Sequence, residues 1–220
     1  MSITKAWDWS KNTEDKWLNP CVEIAFLAER WQTEGLTNFL DLGCGLGRHS
    51  VYMAQKGFDV TAADLADYGI NHLSDWATKE NLNIKTTLCN MLNLPFEESR
   101  FDCIMAYNVI YHTDTPGVVS ALNEIKRVLK PGGELFITFI SKNTYSFQHA
   151  DCYKRIDENT ILRDEDDTER DVPHFYVDIE DIRNLFAGWT FIEPPKEMSE
   201  YKIDNPAYCS KHWTMLLKNI

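Results

Sequence analysis

The stretch from Asn38 to Asp64 limits what this chain can fold into more than any other. Phe39, Leu40 and Leu42 form a short apolar strand around Asp41. Gly43, Gly45 and Gly47 follow at every second position, and Arg48 to Gln55 reads as a helix. A second strand, Phe58 to Ala63, alternates its side chains and stops at Asp64. Each part has a physical use. Glycine has no Cβ, so a backbone can turn sharply there and a ligand can press against it. The helix behind the turn directs its free N–H groups and its positive dipole end at the same place. An acid at the end of the next strand can accept hydrogen bonds from the two hydroxyls of a ribose. Together these features make half of an adenosine-binding site. The dinucleotide fingerprint G-x-G-x-x-G does not fit, because its third glycine falls on Arg48.

The rest of the chain supplies strands and helices in alternation. Asn19-Pro20 reads as an N-cap and first turn, followed by Ile24, Leu27, Ala28 and Trp31 at helical spacing, with Gly35 as a stop. Ile70, Leu73 and Ala77 mark a further amphipathic helix, and Ile84 to Leu88 a third strand. Phe101 to Val109 is nearly continuous in apolar residues, as a parallel strand covered on both faces is. Thr115-Pro116 then caps a helix with Val118, Ala121, Leu122, Ile125, Val128 and Leu129 on one face, and Pro131-Gly132-Gly133 stops it. Glu134 to Ile140 is the fifth strand. Trp189 to Ile192 and His212 to Leu217 close the series, after a helix that begins at Asp178. This order predicts an α/β fold: a Rossmann-like, doubly wound, seven-stranded sheet, mostly parallel with an antiparallel last strand and helices on both faces. Residues 1–220 form a single domain on this reading. Ser141 to Val177 has no clear period and is expected to be a small cap or lid inserted after the fifth strand, beside the ligand crevice.

Composition narrows the function classes. At 220 residues and 44% hydrophobic, the chain can bury one full core. Its formal net charge of -12 and lack of a basic patch argue against nucleic acid as a partner. No apolar run approaches the roughly 18 residues that span a bilayer, so no membrane partner is expected. The N-terminal stretch carries Trp7, Trp9 and Trp17 among charges and does not read as a signal peptide. Its tryptophans are open to two readings, a packing segment or a flap over the ligand. Six scattered cysteines without a C-x-x-C pair suit free thiols in a reducing cytoplasmic location. The histidines show no ligand spacing, so no metal is expected.

Taken in order, four stretches resemble the class I S-adenosylmethionine-dependent methyltransferase family. They are Asp41-x-Gly43-x-Gly45-x-Gly47; Asn90 to Phe96; Phe101-Asp102 through Asn108 to His112; and Leu122 to Phe139 with Arg127 to Gly133. The resemblance runs from about Leu36 to Ser141 and is most like small bacterial enzymes of the tellurite-resistance type, which modify small molecules. It implies S-adenosyl-L-methionine as cofactor, S-adenosyl-L-homocysteine as product, and a small-molecule methyl acceptor. It also implies roles. Asp41 belongs to the cofactor-binding set, Gly43, Gly45 and Gly47 line the methionine part, Asp64 binds the ribose, and Leu65 packs on the adenine. Asn90 stands where the family often has an aspartate facing the adenine amino group, Met91 offers its backbone N–H, and Asn108 lies beneath the methionine. Arg48 either pairs with the cofactor carboxylate or is solvated. The sulfonium activates the methyl group, so the protein chiefly aligns a nucleophile and excludes water. A protonated acceptor also needs a base, for which His112 and His174 are the candidates. Two competing functions remain on sequence alone: a non-catalytic cofactor-binding or interaction protein, and a nicotinamide-dependent oxidoreductase.

Overall fold

The computed structural model describes residues 2–12, 14–163 and 168–220. The acidic run Asp164 to Asp167 lies outside the described residues.

The elements in chain order are α1 (Glu23–Thr33), β1 (Asn38–Leu42), α2 (Arg48–Gln55), β2 (Asp59–Asp64), α3 (Asp67–Lys79), β3 (Ile84–Leu88), β4 (Phe101–Ala106), α4 (Thr115–Val128) and β5 (Leu129–Ser141). After these come α5 (Tyr145–Gln148), β6 (Lys154–Arg155), β7 (Thr160–Leu162), β8 (Pro173–Val177), α6 (Ile179–Leu185), β9 (Trp189–Phe191), β10 (Lys196–Tyr201) and β11 (Cys209–Asn219). The central path runs β3-β2-β1-β4-β5-β11-β9. The pairs among β3, β2, β1, β4 and β5 are parallel, and β11 is antiparallel to both β5 and β9. These seven strands are the sheet expected from the sequence.

Alternation along the strands divides the core between two faces. Phe39, Val60, Cys103 and Met105 meet Ile24, Leu27 and Trp31 of α1 and Met53 of α2 on one side. Leu40, Ile104, Leu135 and Ile137 meet Val118, Ala121 and Ile125 of α4 and Ile182 of α6 on the other. The topology reverses direction between β1 and β4, which opens the crevice at the carboxyl ends of those strands where ligands bind in such sheets.

Several boundaries differ from the sequence reading, each for a local reason. The first helix begins at Glu23, three residues after Pro20, and has no side-chain cap; Asn19 instead closes a short 3-10 turn, Asp15–Leu18. The cap of α4 is Asp114, whose carboxylate accepts from the Gly117 N–H, with Pro116 inside the first turn. Strand β4 stops at Ala106, because Asn108 takes a left-handed φ of +55° that no strand continues through. The 141–177 segment holds α5 and three short strands. Its β8 joins the sheet, pairing parallel to the end of β5 through Ile140 with Tyr176 and Ser141 with Val177. Strand β10 adds an antiparallel hairpin to β11. Among the described residues no helix is long and apolar enough to cross a membrane.

Candidate active site

The turn after β1 is built by backbone conformations that L side chains rarely adopt. Gly43, Gly45 and Gly47 have φ of +72°, +53° and +96°. Space is equally limiting. A Cβ on Gly43 would fall 2.3 Å from Val109 Cγ2, and one on Gly45 2.7 Å from Trp9 Cζ2. The N–H groups of Gly43 and Cys44 both donate to the Ala63 carbonyl, at 2.7 and 3.1 Å, which ties the turn to the end of β2. The next residue but none, Asp64, closes the loop: its carboxylate accepts from Gly45 N at 2.8 Å and from Ala66 N at 2.7 Å. Burial raises the Asp64 pKa, and the backbone N–H groups of Ala66, Gly45 and Leu65 oppose that rise. Each carboxylate oxygen keeps a further lone pair, enough for a vicinal diol.

A cavity of about 830 Å³ opens above this turn. Gly43, Gly45, Arg48, Asp64, Leu65, Asn90, Met91, Asn108 and His112 all line it. Two residues expected at the ligand lie behind the wall instead. Asp41 is 1% exposed and accepts from Ser50 Oγ at 2.6 Å, so it anchors α2 from beneath. Burial pushes its carboxyl up to about 6, against the Ser50 hydrogen bond that favours the ionised form. Gly47 is the N-cap of α2, and a Cβ there would strike Leu73 Cδ1 at 2.3 Å. Both positions shape the turn without facing the cavity.

The N-terminal segment roofs the cavity. Trp7, Trp9 and Trp17 form a cluster with ring centroids 5.0 to 5.6 Å apart, and all three line the space. Arg48 holds this strap down. Its Nη1 donates to the carbonyls of Lys16 and Asn19 at 2.9 and 3.2 Å, and its guanidinium lies over the rings of Trp17 and Tyr107. Arg48 thus clasps the strap through Nη1 while it also lines the cavity. Asn90 reaches the strap as well, with Nδ2 donating to Thr4 Oγ1 at 3.0 Å while Oδ1 accepts from Leu92 N. Asn108 is fixed by Thr138, whose hydroxyl accepts from its N–H and donates to its Oδ1. Trp7 lines the cavity, and its Nε1 is buried with no hydrogen-bond partner among the described residues.

Both candidate histidines stand together at one end. His112 lines the cavity beside Trp7, and its ring centroid is 5.1 Å from that of His174. Burial drives His112 down to about 3, so it is neutral at ordinary pH and only weakly basic. His174, 1% exposed, is set behind it and lines a second, polar cavity of about 460 Å³ together with Tyr111, Tyr145, Tyr176, Arg163 and Glu169. Its Nδ1 is 2.9 Å from the Val172 carbonyl and its Nε2 3.3 Å from Glu169 Oε2. Burial alone would raise the Glu169 pKa, but His174, His112 and Arg163 hold it at about 2. No spacing or periodicity marks Glu169, which sits in an unpatterned loop. The strap left one trace: three tryptophans within eleven residues that fit neither a helical nor a strand period.

Residues 39–133 match a family described as a methyltransferase domain. The Ubiquinone biosynthesis O-methyltransferase of Caulobacter vibrioides is 34% identical over 56% of this chain and 53% of its own length. The probable S-adenosyl-L-methionine-dependent methyltransferase TehB of Haemophilus influenzae is 28% identical over 73% of this chain and 49% of its own. The chain thus spans about half the length of the curated relatives it matches. A solved S-adenosylmethionine-dependent methyltransferase structure from Methanosarcina mazei superposes with a TM-score of 0.70 at 20% identity, covering 83% of this chain and 92% of that one. With its glycine turn, its strand-end acid and its sheet order, this chain carries a methyltransferase domain over residues 39–133 and resembles the class I S-adenosylmethionine-dependent methyltransferases, TehB among them.

Proposed function

We propose that this chain transfers a methyl group from S-adenosyl-L-methionine to a small-molecule acceptor. The observation that carries the reading is the roofed cavity, in which the glycine turn, Asp64, Leu65, Asn90, Met91 and Asn108 share one wall system with His112. The residues fit the cofactor in three respects. Gly43 and Gly45 present backbone without a side chain to the cavity, so a ligand can lie against it. Asp64 is oriented by two backbone N–H groups and keeps lone pairs for ribose hydroxyls. Trp7 Nε1 is an unsatisfied buried donor at the cavity wall.

The bound cofactor supplies a methyl group already activated by a sulfonium. The chain's own work is then to hold, orient and dry the reacting pair. The tryptophan roof excludes water from the cavity. Its aromatic faces also suit a cationic sulfonium. Leu65 and Met91 give apolar contact for the adenine. The acceptor enters at the His112 end, where the two cavities approach each other through the His112–His174 pair. The space there suits a small acceptor, and the relative named for ubiquinone biosynthesis is consistent with one. Proton removal by His112 alone is a weak device, since a base held near 3 gives little driving force at neutral pH.

Incubation with methyl-labelled cofactor and a metabolite extract tests the proposal. Label recovered in a low-molecular-weight product supports it. Cofactor binding without transfer to any extract component favours a non-catalytic binding protein. Binding of a nicotinamide dinucleotide in place of S-adenosylmethionine returns the oxidoreductase reading.

A further inference from the structure

Three side chains that the sequence does not group together converge at the junction of the two cavities. His112 follows β4, His174 lies in β8, and Glu169 comes from the loop before β8. One ligating atom from each lies within 4.8 Å of the other two. The Nε2 atoms of both histidines are buried and have no hydrogen-bond partner among the described residues.

The tautomer of His174 follows from its neighbours. A carbonyl can only accept, so Nδ1, at 2.9 Å from Val172 O, carries the hydrogen. In the neutral ring Nε2 then presents a lone pair. It stands 3.3 Å from Glu169 Oε2, without the alignment of a hydrogen bond, and the ionised carboxylate presents lone pairs too. The two atoms hold that distance only with positive charge between them, a proton on Nε2 or a metal ion. A metal ion does this with the right dimensions: two ligands at ~2.1 Å from a tetrahedral centre are roughly 3.4 Å apart. The surroundings match as well. Metal-bound histidines usually donate their second ring N–H to a carbonyl or carboxylate, and metal-bound carboxylates are themselves hydrogen-bonded. Val172 O takes the first role for His174. Arg163 Nη1, 2.5 Å from Glu169 Oε2, takes the second.

We infer that His112, Glu169 and His174 form a binding site for a divalent first-row transition-metal ion. Two imidazoles and one carboxylate suit Zn²⁺, Fe²⁺ or Co²⁺ better than Mg²⁺ or Ca²⁺, which prefer oxygen ligands only. Three protein ligands leave at least one position open. His112 faces the cofactor cavity and the other two face the second cavity, so that position is reached from where an acceptor would stand. A hydroxyl or thiol bound there loses its proton to water more readily, which removes the need for a strong base. Spacing rules miss the site because His112 precedes Glu169 by 57 residues, and the five-residue step from Glu169 to His174 matches no ligand pattern by itself.

The test uses the whole chain, first stripped with chelator, and Co²⁺ as probe, with neither cofactor nor acceptor present. The inference predicts one equivalent of Co²⁺ with a visible ligand-field absorption and no thiolate charge-transfer band. Zn²⁺ should displace it. Glu169→Gln and His174→Ala should each weaken Co²⁺ binding by at least about tenfold to a hundredfold, with S-adenosylhomocysteine affinity kept as the sign of a folded chain. Should either variant fail to fold, imidazole resonances of the wild-type chain decide: Zn²⁺ must shift those of two buried histidines together. No bound equivalent in the wild type, or a band that persists unchanged in a folded His174→Ala protein, would overturn the inference. Loss of methyl transfer with intact Co²⁺ binding would instead count against the functional reading and leave the metal site standing.

Discussion

Asp41 shows how a motif residue can matter without touching a ligand. Its carboxylate lies under the glycine turn, 1% exposed, with Ser50 Oγ as its close partner. Burial holds it near 6 in the folded chain, above the usual carboxylate range of the unfolded one. The sign follows from linkage. An acid whose folded pKa is raised contributes stability that is complete below the unfolded value and is lost as pH rises through the folded value. Asp41 should therefore reduce stability by roughly 3 kcal/mol between about pH 4 and pH 6. Denaturant unfolding across that window checks this. Asp41→Asn should flatten the slope, and a variant with the same pH dependence as wild type would mean that Asp41 is not the group responsible. Asp64 behaves differently. It accepts from two backbone N–H groups, so Asp64→Ala costs stability as well as affinity.

Two elements are pinned by single side chains. Glu134, at 0% exposure in β5, receives Arg30 Nε and Nη2 at 2.9 and 2.8 Å and Trp31 Nε1 at 3.0 Å. This bidentate pair fixes α1 on its face of the sheet. Removing one partner of a buried ion pair leaves the other charge uncompensated, so Glu134→Ala should lower the unfolding free energy by on the order of 3–5 kcal/mol. A loss below about 1 kcal/mol in chemical denaturation would show that Arg30 finds water instead. The second element is the N-terminal strap, clasped by Arg48 through the carbonyls of Lys16 and Asn19. Arg48→Ala should loosen it. Tryptophan emission should shift to the red as Trp7, Trp9 and Trp17 gain solvent. Cofactor dissociation should accelerate by at least about tenfold, the equivalent of one charge-assisted hydrogen bond. Stopped-flow fluorescence reads both, and an unchanged dissociation rate would make the strap a packing element and not a flap.

At the scale of the molecule, the sheet and the cofactor half of the site could be read in the sequence because both rest on local patterns. Glycine spacing needs only the turn it builds, and strand alternation needs only the two faces it separates. Thus Gly43, Gly45, Asp64, Leu65, Asn90, Met91 and Asn108 come together on the cavity wall as expected. What stayed hidden depends on contacts between distant segments. The Trp7–Trp9–Trp17 roof needs Arg48 from α2, and Asn90 meets Thr4 across 86 positions. The His112–Glu169–His174 group needs β8 folded back beside β5. Asp41 was misplaced for a related reason: its motif position is shared with cavity residues, but strand alternation turns its side chain under the sheet face that carries α2.

This cavity should bind S-adenosylmethionine with its ribose on Asp64. Calorimetric titration of the whole chain with S-adenosylmethionine and with S-adenosylhomocysteine, beside a nicotinamide dinucleotide as control, tests it most directly. One site per chain is predicted for both sulfur nucleosides and none for the dinucleotide. A folded Asp64→Ala protein should bind them roughly tenfold to a thousandfold more weakly, and Asp64→Asn should fall between. Unchanged affinity in folded Asp64→Ala, or dinucleotide binding as tight as that of S-adenosylmethionine, would contradict the account.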